Sequence, residues 1–348
     1  MVQRAILETR AAVRRALEQW LADPGAARRE APASPLVLVA LSGGADSLAL
    51  AAATAYEAPR SGLRAGAVVV DHGLQSGSET VAARAAEQAA GLGLDPVLVE
   101  RVAVSGEGGD GPEAAARSAR YAVFARSAER TGAAAILTAH TRDDQAEQVL
   151  LALVRGSGSR SLSGIPARRA LDAGGSEGAV ILRPFLGEQP AVTRAVTEEA
   201  CAELGIEPWR DPHNDDDAYT RVRVRRSVLP ALERELGPGI AGALARTADL
   251  AREDADALDA LAEETLEEIV EHAEAGISVS ISALAANLPA LRHRIIRLVA
   301  RAEFGAQLSR EHTRAVARLV TDWRGQGPVD VPGASVRREA GRLVFRAR

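Results

Sequence analysis

The sequence predicts an α/β fold, a doubly wound parallel sheet with helices on both faces, followed by a second, mainly helical domain. Short apolar runs alternate with helical patterns from residue 35 to about residue 204. This alternation is typical of βαβ units joined by right-handed crossovers. From about residue 227 the strand-like runs cease and long helical patterns follow. We therefore divide the chain into a domain of residues 1–226 and a domain of residues 227–348 that ends in a short hairpin.

Five apolar runs predict the strands of the first domain. They lie at residues 35–41, 64–70, 96–102, 133–139 and 180–184. The first of them is apolar throughout, as expected for a strand buried on both faces. Helices are predicted at residues 3–22, from the glycine pair after the first strand to about 56, and at 78–93, 112–132, 142–155 and about 190–204. Glycines after several of these helices and Pro112 at the start of one support these limits.

The composition excludes several kinds of chemistry. The chain has 42 basic residues, all of them arginine, so a Walker-type lysine, a Schiff-base lysine and a lysine general base are excluded. Its one cysteine, Cys201, lies in a helical pattern and excludes an internal disulfide framework. No apolar run approaches the ~18–20 residues of a membrane span, and the N-terminal helix lacks a signal-peptide core. These features predict a cytoplasmic protein that does not associate with membranes.

The charge of the second domain is unevenly distributed. The formal net charge of the chain is −5, but residues 226–275 carry 4 arginines and 13 acidic residues, which gives −9. Residues 276–348 carry 13 arginines and 5 acidic residues, which gives +8. A concentration of positive charge of this kind indicates an anionic partner.

The segment "SGGADS" at residues 42–47 follows the first predicted strand and opens a helix. Free N–H groups and the positive end of the helix dipole make such a place suitable for phosphate, and Gly43 and Gly44 allow close approach. The hydroxyls of Ser42 and Ser47 add donors. We expect Asp46 to lie in a surface loop, where Mg²⁺ would bridge its carboxylate to phosphate. The alternative is a glycine turn before a capped helix.

A second motif, "TAHTRDDQAEQ" at residues 138–148, follows the fourth predicted strand. Helical spacing places His140, Asp144 and Glu147 on one face, with Asp143 turned to the side. Beside a phosphate loop, this cluster is suited to hold a metal or an amine nucleophile, which makes these three residues and Asp46 the candidate catalytic residues. The alternative is that the two aspartates only favour a helix N-terminus.

Arginines near the predicted strand ends are candidate anion ligands. Arg117 and Arg120 lie on a helix behind a glycine-rich loop, and we assign them, with residues 42–47, to ATP binding. The substrate-loop candidates are Arg155, Arg160, Arg221 and Arg225. Each of the three segments that carry these arginines has an alternative interpretation. It is a solvated helix face for residues 112–126, a plain linker for residues 155–166 and a solvated interdomain joint for residues 209–226.

The loop at residues 42–47 resembles the pyrophosphate loop of the N-type ATP pyrophosphatases, the PP-loop superfamily. That loop is followed along the chain by other distinctive segments. In order, the segments are "SGGADS", "VDHGLQ", "EAAARSARYAVFAR", "TAHTRDDQAEQVLLALVRGSGSRSLSGIP", "RPFL" and "WRDPHNDDDAYTRVRVRRSVLPAL". Together, in this order, they resemble the tRNA(Ile)-lysidine synthase family over residues 36–232. The chain departs from the family pattern at Val222, where asparagine is usual, and at Gln148, where threonine is usual.

The resemblance implies a reaction and its partners. ATP, with Mg²⁺, adenylates the C2 oxygen of the wobble cytidine in a tRNA(Ile) with a CAU anticodon, releasing pyrophosphate. Free L-lysine then attacks C2, AMP leaves, and lysidine is the product. A base such as His140 or Asp144 would deprotonate the lysine amine. The sequence leaves the oligomeric state open, a homodimer being one option.

Two helical patterns predict where the second domain holds tRNA. In residues 290–304, Arg294, Arg297 and Arg301 follow one another at helical spacing, and in residues 309–320 a line of arginines recurs every fourth residue. We call this line, Arg310, Arg314 and Arg318, the basic stripe. Such surfaces suit contacts to an RNA backbone. The alternative is that these arginines pair with the acidic stretch at residues 249–275 inside the domain.

Other functions remain open on the sequence alone. Another PP-loop ligase that modifies tRNA or a nucleotide would share the loop, but the thiolases among them need reactive cysteines, which the lone Cys201 does not supply. A non-catalytic nucleotide sensor would also keep the loop. Such a sensor has no need of the cluster at His140–Glu147.

Overall fold

The computed structural model of the chain describes residues 3–23, 34–71, 73, 77–102, 112–156, 158–171, 178–273 and 276–348. The chain forms two compact units, Met1–Asp249 and Leu250–Arg348. The division falls later than the boundary predicted between residues 226 and 227. The reason is that Leu229 and Leu244, which follow that boundary, pack with Ala146 and Val224 in a small core of the first unit.

The first unit contains a six-stranded sheet. Its strands are β1 (Leu36–Leu41), β2 (Arg64–Asp71), β3 (Val97–Arg101), β4 (Ala133–Leu137), β5 (Arg168–Ala170) and β6 (Val180–Leu182). The order is β3-β2-β1-β4-β6-β5, and every pairing is parallel except that of β5 with β6. The predicted parallel sheet is therefore confirmed. The strand β5 was not predicted, because this three-residue edge strand is exposed and two of its residues are arginine.

Helices cover both faces of this sheet. The helices that begin and end within the first unit are α1 (Arg4–Leu21), α2 (Ala45–Arg60), α3 (Ser78–Gly91), α4 (Pro112–Thr131), α5 (Arg142–Val154), α6 (Ser159–Leu162), α7 (Arg194–Leu204), α8 (Thr220–Arg223) and α9 (Leu229–Leu236). A π-helical turn, Val224–Val228, joins α8 to α9, and 3₁₀ turns occur at Pro184–Leu186 and Pro212–Asp215. In β1, Val37 and Val39 pack against α1, α2 and α3, whereas Leu38 packs against α4. The continuous apolar run of β1 reflects this burial on both faces.

The strand order reverses at β1, because β2 and β3 extend the sheet to one side and β4 and β6 extend it to the other. In sheets of this kind, ligands bind beyond the carboxyl ends of the strands at the point of reversal. Cys201 is buried in the core on the α1 side of the sheet, as predicted for a small apolar residue. No helix in the described ranges is long and apolar enough to cross a membrane.

The second unit combines helices with a five-stranded antiparallel sheet. The helix α10 (Ile240–Ile269) spans the division between the units, and α11 (Ile281–Ala286), α12 (Pro289–Phe304) and α13 (Arg310–Thr321) follow. The strands are β7 (Val270–Ala273), β8 (Gly276–Ser280), β9 (Val329–Val331), β10 (Ala334–Glu339) and β11 (Arg342–Ala347), in the order β7-β8-β11-β10-β9.

The predicted terminal hairpin exists as β10 and β11, but it is part of this larger sheet. The expectation that strands cease after residue 227 was wrong. The strand β7 follows α10 without a break, so its four residues show no strand pattern distinct from the acidic helical stretch before them. Gly276 begins β8 with φ +141°, and a Cβ there would lie 2.1 Å from the carbonyl oxygen of Phe345. This position therefore requires glycine.

Candidate functional site

A cavity of about 640 Å³ opens at the carboxyl ends of β1, β2 and β4. Its lining includes side chains from both sequence motifs, among them Ser42, Asp46, Ser47, His140 and Asp144. The motifs are about a hundred residues apart in the chain, but β1 and β4 are paired neighbours in the sheet. The cavity therefore lies at the point of reversal where a ligand is expected.

The glycine loop places the start of α2 at this cavity. Gly43 has φ +83°, and a Cβ on it would contact the Cβ atoms of Ala85 and Trp209. The backbone N–H of Trp209 donates to the carbonyl of Gly43 at 2.9 Å, which fixes the loop. Gly44 is the N-cap of α2, and the Ser47 hydroxyl donates to its carbonyl at 2.9 Å. Gly43, Gly44 and Ala45 thus supply the backbone of the predicted phosphate loop, beside the cavity-lining serines.

Asp46 lies in the first turn of α2, not in a surface loop as the sequence analysis expected. The reason is that α2 begins at Ala45, directly after the glycine pair. The side chain of Asp46 is 29 % exposed, and one of its oxygens lies 4.0 Å from Nε of Arg194. The hydroxyl of Thr197 donates to its other oxygen. Burial raises the pKa of Asp46 to about 6, although Thr197 opposes this shift.

His140 follows β4, and its Nδ1 lies 3.1 Å from the hydroxyl oxygen of Thr138. Burial holds the pKa of His140 well below its usual value, against the attraction of Asp144. Asp144 accepts hydrogen bonds from the backbone N–H of Thr141 at 2.8 Å and from its hydroxyl at 3.1 Å, forming a capping box at the start of α5. Asp144 therefore has the capping role given as an alternative and also faces the cavity.

The charge state of Asp144 is set by arginines. Burial alone would raise its pKa, but Arg221 and Arg194 outweigh burial, so its pKa lies below the usual value. With both pKa values lowered, Asp144 is ionised and His140 is neutral at neutral pH, and the two side chains lie on the same wall of the cavity.

Glu147 occupies a different place from the one predicted. Its side chain is fully buried, with 0 % exposure, and it does not line the cavity. Its carboxylate accepts from Nε of Arg221 and Nε of Arg225, both at 2.8 Å, and from Arg194 at 3.4 Å. We call Arg194, Arg221 and Arg225 the arginine cluster. Glu147 lies beneath the cavity, because the helical turn after Asp144 carries it inward. There it anchors the arginine cluster.

The four arginines predicted for the substrate loop differ in their surroundings. Arg221 and Arg225 point inward to Glu147, whereas Arg155 and Arg160 are exposed. Arg155 is the C-cap of α5, Arg160 lies in α6, and neither is among the residues that line the cavity. The four arginines therefore form two separate groups. Arg117 and Arg120, by contrast, both line the cavity on α4, as their assignment to ATP requires.

Sequence reasoning missed two residues that shape the site. Arg194 begins α7 and lies within 4.0 Å of Asp46, Asp144 and Glu147, but a single arginine at a helix start has no distinguishing pattern. Gln145 binds the backbone of Ile165 twice, accepting at 2.7 Å and donating at 3.2 Å. This tether holds the end of the segment that carries Arg155 and Arg160. The loops at residues 74–76 and 103–111 lie outside the described residues.

In the second unit the predicted RNA-binding arginines differ in their surroundings. Arg294 is an internal ion-pair partner, since its Nε lies 2.8 Å from Asp259 and its side chain is only 11 % exposed. Arg297 is half-buried, and burial lowers its pKa. Arg301 and the basic stripe are exposed. Burial and the charges of arginines on both α12 and α13 lower the pKa of His293, so the two helices bring positive charge together.

Comparisons with known proteins agree with this division. Residues 10–232 match the model of the PP-loop domain, and residues 280–344 match the model of the TilS substrate binding domain. The U34-tRNA thiolase NcsA from Methanococcus maripaludis shares the fold, with a TM-score of 0.53 and 15% identity over 71% of this chain and 80% of that chain.

Curated relatives match over most of their length. The tRNA(Ile)-lysidine synthase of Leifsonia xyli is 60% identical over 93% of this chain and 93% of its own. That of Salinispora tropica is 54% identical over 96% of this chain and 95% of its own. The sequence, the PP-loop fold and these relatives together show that the chain belongs to the tRNA(Ile)-lysidine synthase family.

Proposed function

We propose that the cavity of the first unit is the active site of an ATP-dependent carbon–nitrogen ligase. In it, ATP adenylates the C2 oxygen of the wobble cytidine in the CAU anticodon of tRNA(Ile), and L-lysine displaces AMP to give lysidine. The observation that carries this assignment is that the glycine loop after β1 and the His140–Asp144 wall after β4 border one cavity. Adenylation is needed because the C2 oxygen is a poor leaving group until it is part of a phosphate ester.

The glycine loop would hold the phosphates of ATP. The first N–H groups of α2 have no partner within the helix, and the helix dipole favours an anion at this end. Ser42 and Ser47, whose hydroxyl oxygens lie 3.1 Å apart, would add side-chain donors. Arg117 and Arg120 would contribute positive charge from α4. This arrangement stabilises departing pyrophosphate without a lysine.

Asp46 fits a role in holding Mg²⁺ together with the ATP phosphates. No cluster of three or more His, Cys, Asp or Glu side chains able to hold a metal occurs in the part of the chain that the structure describes. Mg²⁺ commonly binds through one or two carboxylates plus substrate phosphates, so a single carboxylate beside a phosphate loop is suitable. When bound, the ion would neutralise charge that develops on the α-phosphate. The raised pKa of Asp46 indicates a carboxylate whose charge the protein alone compensates incompletely.

The His140–Asp144 wall would receive the lysine amine. Ionised Asp144 would attract and orient the side-chain ammonium group of lysine. The neutral His140 has a pKa too low for a strong base, so we assign it a hydrogen-bonding role. Once the amine is in place, the positive charge of the arginine cluster would lower its pKa and favour the uncharged, nucleophilic form.

The anionic tRNA would contact both units. Arg155 and Arg160 are exposed beyond the end of α5, and the basic stripe is exposed on α13. Phosphate contacts of this kind supply affinity without sequence readout. A tRNA substrate also supports a cytoplasmic location.

Product analysis with defined transcripts tests this function. The protein is incubated with ATP, Mg²⁺, L-lysine and a CAU-anticodon tRNA(Ile) transcript, and AMP, pyrophosphate and the mass of the anticodon fragment are measured. We expect AMP and pyrophosphate in equal amounts and the mass gain of one lysine residue. A transcript with uridine in place of the wobble cytidine is the matched control and should give neither. AMP formation that needs no tRNA, or that proceeds equally on the uridine transcript, would contradict the proposal.

A further inference from the structure

Tyr121 of α4 lines the cavity and is surrounded by arginines. Nη2 of Arg183, which follows β6, donates to the phenol oxygen at 3.0 Å, and Nη2 of Arg117 donates to it at 3.4 Å. The guanidinium carbon of Arg169 lies 4.8 Å from the centre of the tyrosine ring. We call these four residues the tyrosine cage.

No acidic side chain among the described residues balances the positive charge of the tyrosine cage. Arg183 is only 2 % exposed, and the other described hydrogen bond of its side chain is to the carbonyl of Pro166. Among the described residues, its Nε has no hydrogen-bond partner. In the described ranges no carboxylate pairs with Arg117, Arg169 or Arg183, and burial together with the two other arginines lowers the pKa of Arg183. Buried charges are normally paired, so this cluster indicates an anion that joins it.

Hydrogen-bond accounting identifies what Tyr121 offers to that anion. A phenol oxygen has one proton to donate and accepts through its lone pairs. Two guanidinium groups already donate to this oxygen, so its capacity as an acceptor is used. Its O–H is left as a donor on a side chain that lines the cavity. Burial raises the pKa of the phenol, but Arg183 and Arg117 outweigh burial, and the pKa lies below the usual value, which strengthens the donor.

The position of the tyrosine cage separates its anion from the phosphates at the glycine loop. Arg183 follows β6, which is two strands away from β1 in the sheet. At a spacing of about 4.8 Å per strand, the two strand ends lie roughly 10 Å apart. Phosphates of ATP that are bound at the loop would therefore leave the tyrosine cage to another anion. The other anions in the reaction are the carboxylate of L-lysine and the RNA, and the RNA has a phosphate at every nucleotide, including those next to the target cytidine.

We propose that Tyr121, Arg169 and Arg183 form a second phosphate subsite that binds a backbone phosphodiester of the RNA next to the target cytidine, while Arg117 keeps its assignment to ATP. The inference rests on the proposed function, since it takes RNA as the second substrate. In this subsite Arg183 is a positioning residue that holds the phenol, while Tyr121 and Arg169 contact the phosphate. The subsite would fix the anticodon relative to ATP.

Tyr121→Phe tests the subsite, because it removes one hydroxyl and keeps the ring. We expect the Kd and KM for the tRNA(Ile) transcript to rise about tenfold, as for a lost hydrogen bond to a charged group, while the KM for ATP stays unchanged. Tyr56→Phe is the matched control. Tyr56 also has two arginines over its ring, Arg10 and Arg60, but it does not line the cavity. It should behave as the wild type.

The salt dependence of binding gives a readout that a purely structural role would not change. Arg169 is exposed, so Arg169→Ala should fold. It should reduce the log–log slope of tRNA binding against salt by about 0.7, the value for one phosphate contact on a single strand.

Each result decides for or against the subsite. A raised KM for ATP or for L-lysine with unchanged tRNA binding would assign the tyrosine cage to an ATP phosphate or to the lysine carboxylate and overturn the inference. Unchanged affinity for all three substrates would overturn it too. Binding is measured without turnover, so the subsite is tested even if the wild type formed no lysidine, a result that would overturn only the proposed function.

Discussion

Removal of the Asp46 carboxylate should change how stability depends on pH. The pKa of Asp46 is raised from 3.8 to about 6, chiefly by burial. The folded state therefore binds this proton more tightly than the unfolded state does, and stability falls as pH rises from 3.8 to 6. At roughly 1.36 kcal/mol per pKa unit, the loss is about 3 kcal/mol and is complete above pH 6. Asp46→Asn has no such proton.

The measurement is urea unfolding of wild type and Asp46→Asn between pH 4 and 7.5, in EDTA, with the difference in the free energy of unfolding plotted against pH. Titratable groups that both proteins share contribute equally to the two free energies, so their contributions cancel in the difference. We expect the variant to gain up to about 3 kcal/mol relative to the wild type across this range. The same substitution at the exposed Asp95 reports the effect of losing a surface carboxyl.

A constant difference across the pH range, or one that moves in favour of the wild type as pH rises, would show that the folded state does not raise the pKa of Asp46. A second arm connects the measurement with function. With saturating ATP and Mg²⁺, the free energies of unfolding of the two proteins should begin to differ at a lower pH, because a cation beside Asp46 favours the ionised carboxylate. The same variant should fold but lose Mg²⁺-dependent adenylation.

Three further predictions concern the rest of the site. Asp144→Ala should lower stability by the ~0.5–2 kcal/mol of a lost cap but lower kcat/KM more than about a hundredfold; a loss of activity that only follows the melting temperature would indicate a capping role alone. Glu147→Gln should cost about 3–5 kcal/mol in urea unfolding, because it leaves the arginine cluster without its buried anchor, and a cost below 1 kcal/mol would contradict that role. Reversal of the basic stripe to glutamate should weaken tRNA binding in filter assays and reduce its salt slope by about 0.7–0.9 per lost contact, with ATP binding unchanged. Arg301→Glu, at an exposed position outside the basic stripe, is the control that shows the effect of reversing a single charge.

Much of the first unit could be predicted because its signals are local. A strand buried on both faces needs a continuous apolar run, and β1, β2 and β4 each have one. The edge strand β5 and the short β7 have no such run, so they were missed. The placement of Asp46 also depended on a local detail, the start of α2 directly after the glycine pair.

The parallel sheet, the glycine loop and the His140–Asp144 wall were predictable from the sequence, because each depends on residues that are close in the chain. The surroundings of these residues, by contrast, follow only from the folded chain. Glu147 is paired with arginines that come 47, 74 and 78 positions later, and Tyr121 meets Arg183 62 positions later. Helical spacing can place a carboxylate on a face of its helix. Whether that carboxylate is open to substrate or covered by charges depends on segments that reach it only when the chain folds.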